Sequence, residues 1–348
     1  MKFMLKKMLF GRKIPELLTR DEMLEVLQRE EYGFLPPKPN NISFELDAIP
    51  KVSHNFCAGK ASLQRLTVSC DMGEKTFSFP ATVVVPRKGG PHPFFVLINF
   101  RPDVPDRYCP TEELVDNGFA VLAFDYNDVS KDDGDFTNGL AGVLYPDGKR
   151  KPTDAGKIAM WAWAAHRIMD YAETDDRLDC SRSCVCGHSR LGKTALLAGA
   201  TDTRFSVAYS NDSGCSGAAI TRDKVGEDVK EIYTRFPYWF CENYEKYQHL
   251  EHKMPFEQHY LLASVAPRKV YVASALEDTW ADPTSEFLCC VAASDAYVEM
   301  GLTGFVHQNR LPETNEVYHE GNIGYHVREG EHYFSREDWL KVIAYLKK

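Results

Sequence analysis

Residues 180–200 read CSRSCVCGHSRLGKTALLAGA. Residues 183–186 are a short β-prone run, Gly187-His188-Ser189 turns sharply, and residues 191–200 carry Leu, Ala and Gly at helical spacing. Strand, turn and helix in this order make a nucleophile elbow, in which a serine is lifted onto a strained turn. Its Oγ is then exposed, and the next residue's N–H faces a developing oxyanion. Gly187 and Ser189 fit the five-residue signature, but the second glycine arrives one position late, at Gly192 behind Leu191. A bare G-x-S recurs by chance, and a serine capping a helix near residue 190 is the plainer reading. The flanking chain has to decide between them.

On the N-terminal side, residues 94–100 (FFVLINF) and 120–125 (AVLAFD) are continuous apolar runs, the mark of strands covered on both faces in a parallel sheet. Residues 112–117 supply a crossover helix between them, ending at Gly118. A long irregular stretch to Pro152 follows, and loops of that length are usually functional or mobile. Residues 155–173 (AGKIAMWAWAAHRIMDYAE) are apolar nearly all round, which predicts a helix buried against the sheet with Trp161 and Trp163 in the core. On the C-terminal side, residues 205–210 and 269–275 are further strands, 283–300 a helix, 304–308 the last strand and 339–346 a closing helix. Strands alternating with helices predict the α/β class, a doubly wound, mostly parallel sheet with helices on both faces. Its loops after each strand gather along one edge, where sites in such sheets form.

Before residue 91 the pattern differs. Residues 12–32 carry Leu17, Leu18, Met23, Leu24 and Leu27, with Thr19 and Asp21 as possible caps, and read as a leading helix, broken at GFLPPKPNN (33–41). Residues 42–49, 61–70 and 75–85 then alternate polar and apolar residues as antiparallel strands. With no linker or low-complexity boundary in sight, residues 1–348 are expected to form a single α/β-hydrolase domain. In it, residues 1–90 are an N-terminal helix and β-rich lead-in, and residues 91–348 the catalytic core.

Hydrophobic residues at 44% and charged residues at 26% suit a globular enzyme, and a net charge of −9 argues against a nucleic-acid partner. No apolar stretch is long enough to cross a bilayer, so no membrane partner is expected, and no export signal is visible at the start. The ten cysteines are scattered through the chain, which favours reduced thiols and a cytoplasmic location. Cys184-x-Cys186 and Cys289-Cys290 lack zinc-ribbon spacing, so they read as small core residues, and no metal or other cofactor is expected.

A serine nucleophile needs a base, and the base an orienting acid, in the chain order serine, acid, histidine. His319, His326 and His332 follow the last predicted strand. His332, in Gly330-Glu331-His332-Tyr333-Phe334 before the final helix, is the candidate that a mobile loop lays over Ser189, and His326 is its competitor. His188 is expected to pack against neighbouring structure. Asp278, just past the strand at 269–275, and Asp212, just past the strand at 205–210, compete as the acid. Each has the alternative reading of a helix cap or turn aspartate.

These residues carry a family likeness. Gly187-His188-Ser189-Arg190-Leu191-Gly192-Lys193 resembles the G-C-S-R-x-G-K signature of carbohydrate esterase family 15, the glucuronoyl esterases. Residues 211–219, 254–259, 266–268, Trp280-Ala281-Asp282-Pro283 and the His332 loop match in order, so the similarity runs from about Phe94 to the C-terminus. The resemblance implies Ser189 as nucleophile, His332 as base and Arg190 as side-chain donor to the oxyanion. It also implies that Lys193 contacts sugar hydroxyls and that Trp280 lines the uronate pocket, although packing alone would also account for Trp280. Family members draw their acid from either strand end, often a glutamate where this chain has the shorter Asp212, so Asp278 is preferred. His188 replaces the usual cysteine, and typical members are exported.

Elementary chemistry agrees with these roles. Arg190 brings a fixed positive charge to the carbonyl oxygen, where a preorganised donor contributes on the order of 3 kcal/mol. Lys193, four residues after Ser189, shares its helical face. Two cations beside one serine suit a polyhydroxylated or acidic substrate. The expectation is a metal-independent serine esterase acting on a carbohydrate ester, foremost an ester of glucuronic acid, through an acyl-enzyme. An acetylxylan or acetyl-sugar esterase is the alternative within the enzyme class. A non-catalytic sugar-binding protein on a hydrolase scaffold is the alternative outside it.

Overall fold

In the computed structural model of the protein, which describes residues 4–49 and 55–348, the apolar runs form the centre of one sheet. Ten strands follow in chain order: β1 (Asn41–Ala48), β2 (Ala61–Asp71), β3 (Thr76–Pro86), β4 (His92–Asn99), β5 (Ala120–Asp125), β6 (Leu178–His188), β7 (Val207–Asn211), β8 (Lys269–Ala275), β9 (Val317–Tyr318) and β10 (Ile323–Arg328). Their spatial order is β1-β2-β3-β5-β4-β6-β7-β8-β10-β9. From β5 to β10 the neighbours are parallel; β1, β2 and β3 join antiparallel, as their alternating sequences require. The chain leaves β4 toward β5 on one side and returns to β6 on the other. That reversal opens a crevice beyond the carboxyl ends of β4 and β6.

Alternate side chains of the central strands feed two cores. Phe94, Val96 and Ile98 of β4 face one way with Leu122, Val185, Ala208 and Val272; Phe95 and Leu97 face the other way with Val121, Cys184, Cys186 and Tyr209. Helices α1 (Met4–Arg12), α2 (Arg20–Leu27), α3 (Thr111–Asp116), α4 (Tyr126–Val129), α5 (Gly139–Leu144), α6 (Lys157–Ala172), α7 (Arg190–Thr201), α8 (Val229–Arg235), α9 (His259–Ala263), α10 (Pro283–Glu299) and α11 (Arg336–Leu346) cover the sheet. The first core includes α6, α7 and α10, and the second includes residues of α3 and α11. Trp161 and Trp163 are core residues of α6, as the all-round apolar pattern predicts. All ten cysteines are free thiols, eight of them buried.

Two expectations need correction. Residues 12–32 are not one helix. α1 ends at Arg12, and α2 starts at a Thr19–Glu22 capping box before running into a π-helical turn, Gln28–Tyr32. Residues 304–308 are not the last strand either, since Phe305 makes a single bridge to Ile323. The last parallel strand is β10, Ile323-Gly324-Tyr325-His326-Val327-Arg328, buried along its whole length. Its histidine and arginine break the apolar run in sequence, but buried partners satisfy both. Residues 1–3 of the basic start, and 50–54 between β1 and β2, lie outside the described residues.

Candidate active site

β6 ends at His188, and α7 begins at Arg190, so Ser189 alone makes the turn, at φ 58°, ψ −127°, where side chains other than glycine's rarely sit. Its N–H donates to the carbonyl of Asn211 at the end of β7 (2.8 Å), which pins the strained residue. A Cβ at Gly187 would fall 2.2 Å from the carbonyl oxygen of Leu191; one at Gly192 would fall 2.9 Å from Ser210 Oγ and 3.1 Å from the carbonyl of Gly187. The late glycine is therefore the one that lets α7 close against β7, and buried Leu191 fills the position where the usual signature has glycine. Ser189 is half-buried, and no hydrogen bond ties its Oγ to another described residue.

The imidazole of His332 stands beside this turn, its ring centroid 4.4 Å from that of His188. Its Nδ1 donates to Asp278 Oδ2 at 2.6 Å. Asp278, on the turn after β8, also accepts from the N–H of Ala281 (3.1 Å). Burial pushes its carboxyl up, but the hydrogen bond and charge of His332 outweigh this and hold it below the usual carboxylate range. The His332 side chain is 43% exposed, and Nδ1 is the nitrogen that Asp278 engages. The loop bearing it is fastened. Arg328, the last residue of β10, donates to the carbonyls of Glu329, Glu331 and Tyr333 on both sides of the histidine, and its Nε binds Asp338.

Asp212 sits at the end of β7 with φ 45°, fully buried. One oxygen accepts the N–H of Ala275 (2.7 Å), and the other faces Arg328 Nη2 at 3.4 Å. Burial, with Glu286 and Asp338 nearby, raises its carboxyl well above the ordinary value. Asp212, Asp278 and His332 bring ligand-type atoms within 4.8 Å of one another. Arg328 already supplies positive charge to that group, and His332 Nδ1 is engaged with Asp278, so the set is a hydrogen-bonded acid–histidine cluster. His326 lies elsewhere: it is buried within β10, its nitrogens bonded to Asp338 (2.8 Å) and to the Tyr271 hydroxyl (2.9 Å), which also meets His319 (2.8 Å). His188 donates from Nδ1 to Asn211 Oδ1 (2.6 Å), and burial lowers its pKa to about 3, which leaves a neutral ring packed on its neighbours, as expected from the turn.

The guanidinium of Arg190 is paired through Nη1 with Asp132 Oδ2 and lies over the rings of Trp239 (4.7 Å), Phe236 (5.3 Å) and Phe100 (5.7 Å). Its Nε is buried without an acceptor. The side chain as a whole is 26% exposed, so part of the guanidinium faces outward next to Ser189. Lys193 is buried; its ammonium donates to the carbonyls of Ser213 (2.5 Å) and Cys215 (2.6 Å) and stands 3.8 Å from Glu227. Trp280 is 42% exposed, donates from Nε1 to Glu227 (3.2 Å), and carries the Arg235 guanidinium over its ring at 4.9 Å. Glu227 thus joins Lys193 to Trp280.

The structure brings Ser189, Arg190, Lys193, Asp212, Asp278, Trp280 and His332 to the carboxyl edge of the parallel strands. Asp132, Glu227 and Arg328 were missed by sequence reasoning. Asp132 lies in the long loop after β5, whose length was the available signal. Glu227 lies in an aperiodic excursion between β7 and β8. Arg328 is hidden in a strand whose pattern it interrupts.

A family model described as "Glucuronyl esterase, fungi" matches residues 68–301, a span that ends before His332. Among curated relatives, the carbohydrate esterase MZ0003 from an unknown prokaryotic organism is 42% identical over 67% of this chain and 54% of its own length. The 4-O-methyl-glucuronoyl methylesterase of Podospora anserina is 28% identical over 80% of this chain and 55% of its own. The chain therefore spans about half the length of these curated relatives. Among solved structures, the glucuronoyl esterase from Solibacter usitatus superposes with a TM-score of 0.85 at 31% identity, covering 94% of this chain and 91% of that one. A promiscuous CE15 esterase from the marine bacterial metagenome gives 0.83 at 32%, covering 94% and 90%. With the elbow, the sheet and the family match agreeing, the chain belongs to the glucuronyl esterase family, carbohydrate esterase family 15, on an α/β-hydrolase fold.

Proposed function

We propose that the protein is a serine esterase that cleaves esters of glucuronic acid on a carbohydrate. The observation that carries this reading is the 2.6 Å bond from His332 Nδ1 to Asp278, in a ring packed against the residue preceding Ser189. That bond fixes the tautomer and leaves Nε2 as the base. Ser189 Oγ attacks the ester carbonyl as His332 Nε2 takes its proton; the oxyanion gathers toward Arg190. His332 then returns the proton to the departing alcohol. Water, deprotonated by the same imidazole, attacks the acyl-enzyme, and the uronate leaves with Ser189 regenerated.

The family's description supports a uronate ester, as do the names of the relatives from Podospora anserina and Solibacter usitatus. Lys193, Glu227 and Trp280 then form the sugar side of the site, with polar groups for hydroxyls and an exposed ring for a sugar face. The test compares a benzyl ester of glucuronic acid with an acetylated xylo-oligosaccharide, on wild type and Ser189→Ala. The expected result is faster turnover of the uronate ester, lost by at least about 10³-fold in the variant while its fold is retained. Preference for the acetyl ester would favour the acetyl-sugar esterase, and sugar binding without turnover would favour the non-catalytic scaffold.

A further inference from the structure

An arginine is a poor preorganised donor unless something holds it, because its long side chain loses rotamer freedom when fixed. Arg190 is held on three sides by residues distant in sequence. Trp239 and Phe236, stacked on each other at 3.9 Å and 3°, come from the excursion between β7 and β8; Phe100 follows β4. Between them Asp132 takes Nη1.

Asp132 is itself immobilised. Its Oδ1 accepts the Trp239 indole N–H (2.6 Å), and its Oδ2 accepts the Tyr126 hydroxyl (2.8 Å) as well as Arg190. Its own N–H donates to Asn127 Oδ1 (3.0 Å), and its carbonyl accepts the Tyr238 hydroxyl (3.2 Å). The carboxylate cannot turn without breaking bonds to two other segments. It engages Nη1; Nε is enclosed without a protein acceptor, and the side chain keeps 26% of its surface exposed.

We propose that Asp132 is a positioning residue: by pairing with Nη1 it locks the Arg190 guanidinium beside the elbow, so that the exposed part of the fork meets the carbonyl oxygen as it becomes an oxyanion. The inference rests on the reading of Arg190 as the oxyanion donor. A charged partner in a fixed place orients the fork, and the aromatic cage removes the alternatives water would offer. Trp239, bonded to Asp132 and stacked beside Arg190, belongs to the same lock. The loop after β5 thereby acts on the elbow from outside the acid–histidine cluster.

A double-mutant cycle tests this. Asp132→Asn keeps an oxygen for the Trp239 N–H while removing the charge that pairs with Arg190. On a benzyl glucuronate ester it is expected to lower kcat about 10- to 100-fold with KM changed less than about threefold, because the lost contact acts on the oxyanion rather than on ground-state binding. Arg190→Ala is expected to lower kcat at least as far. Adding Asp132→Asn to Arg190→Ala is expected to cost less than about twofold more. Asp132→Glu, which keeps the charge, should recover part of the loss. Equal losses from Asp132→Asn in both backgrounds, or an effect confined to KM, would overturn the positioning role. An Arg190→Ala enzyme with wild-type kcat would instead overturn the oxyanion reading on which it rests.

Discussion

Two carboxylates lie near His332, and their surroundings separate them. Asp278 meets the imidazole directly and is held below the usual range, so it stays ionised beside a developing imidazolium. Asp212 is enclosed, with one oxygen on the N–H of Ala275 and the other 3.4 Å from Arg328, and burial raises its carboxyl well above the ordinary value. Asparagine keeps an oxygen for the Ala275 N–H, and Asp212 makes no hydrogen bond to His332. Asp212→Asn is therefore expected to keep kcat within about threefold, whereas Asp278→Asn, which gives His332 the wrong tautomer, should lower it about 10³- to 10⁴-fold. Steady-state kinetics on one uronate ester checks both, and the reverse ranking would move the acid to the end of β7. The sequence placed both aspartates at the right strand ends but could not rank them by geometry, because the ranking depends on where the His332 loop lies. That loop is set by Arg328, a residue that gives no sign of its role in the linear pattern.

At the scale of elements, the elbow works because two glycines admit backbone where side chains would collide. Gly192→Ala puts a Cβ 2.9 Å from Ser210 Oγ and 3.1 Å from Ser213 Cβ, at the seam between α7 and β7. A loss of about 1–3 kcal/mol in stability is expected, read by chemical denaturation; an unchanged midpoint would show that the seam has room to give. The apolar runs at β4 and β5 were legible because both faces are covered and nothing polar interrupts them. β10 was not, since His326 and Arg328 occupy inward positions that buried partners, Asp338 shared by both, make tolerable. The start of the leading helix was legible at Thr19, whose box with Glu22 begins α2 after the break at Lys13–Thr19; its end in a π-helical turn was not.

Across the molecule, the N-terminal segment is tied to the excursion that builds one wall of the site. Glu31, in the π-helical turn, is fully buried, and Gln258 Nε2 lies 3.0 Å from both of its oxygens; Tyr32 donates to the carbonyl of Ser216 (2.9 Å). Burial raises the Glu31 pKa from 4.5 to about 8. A raised carboxyl binds its proton more tightly in the folded state, so its contribution to stability is complete below pH 4.5 and is lost as pH rises toward 8. The slope is about 1.4 kcal/mol per pH unit for one such group. Glu31→Gln should flatten the fall in unfolding free energy between pH 5 and 8, measured by urea denaturation; an unaltered slope would place the buried proton elsewhere. No periodicity in sequence announced this tie, because its contacts join residues 184 and 227 positions apart.

The central claim, that Ser189 is the nucleophile and His332 its base, is tested most directly by treating the protein with a fluorophosphonate and mapping the adduct by peptide mass spectrometry. One adduct on Ser189, formed at least about a hundredfold more slowly in a folded His332→Ala variant, is the predicted result. Modification of another residue, or labelling of Ser189 at an equal rate without the imidazole, would contradict it.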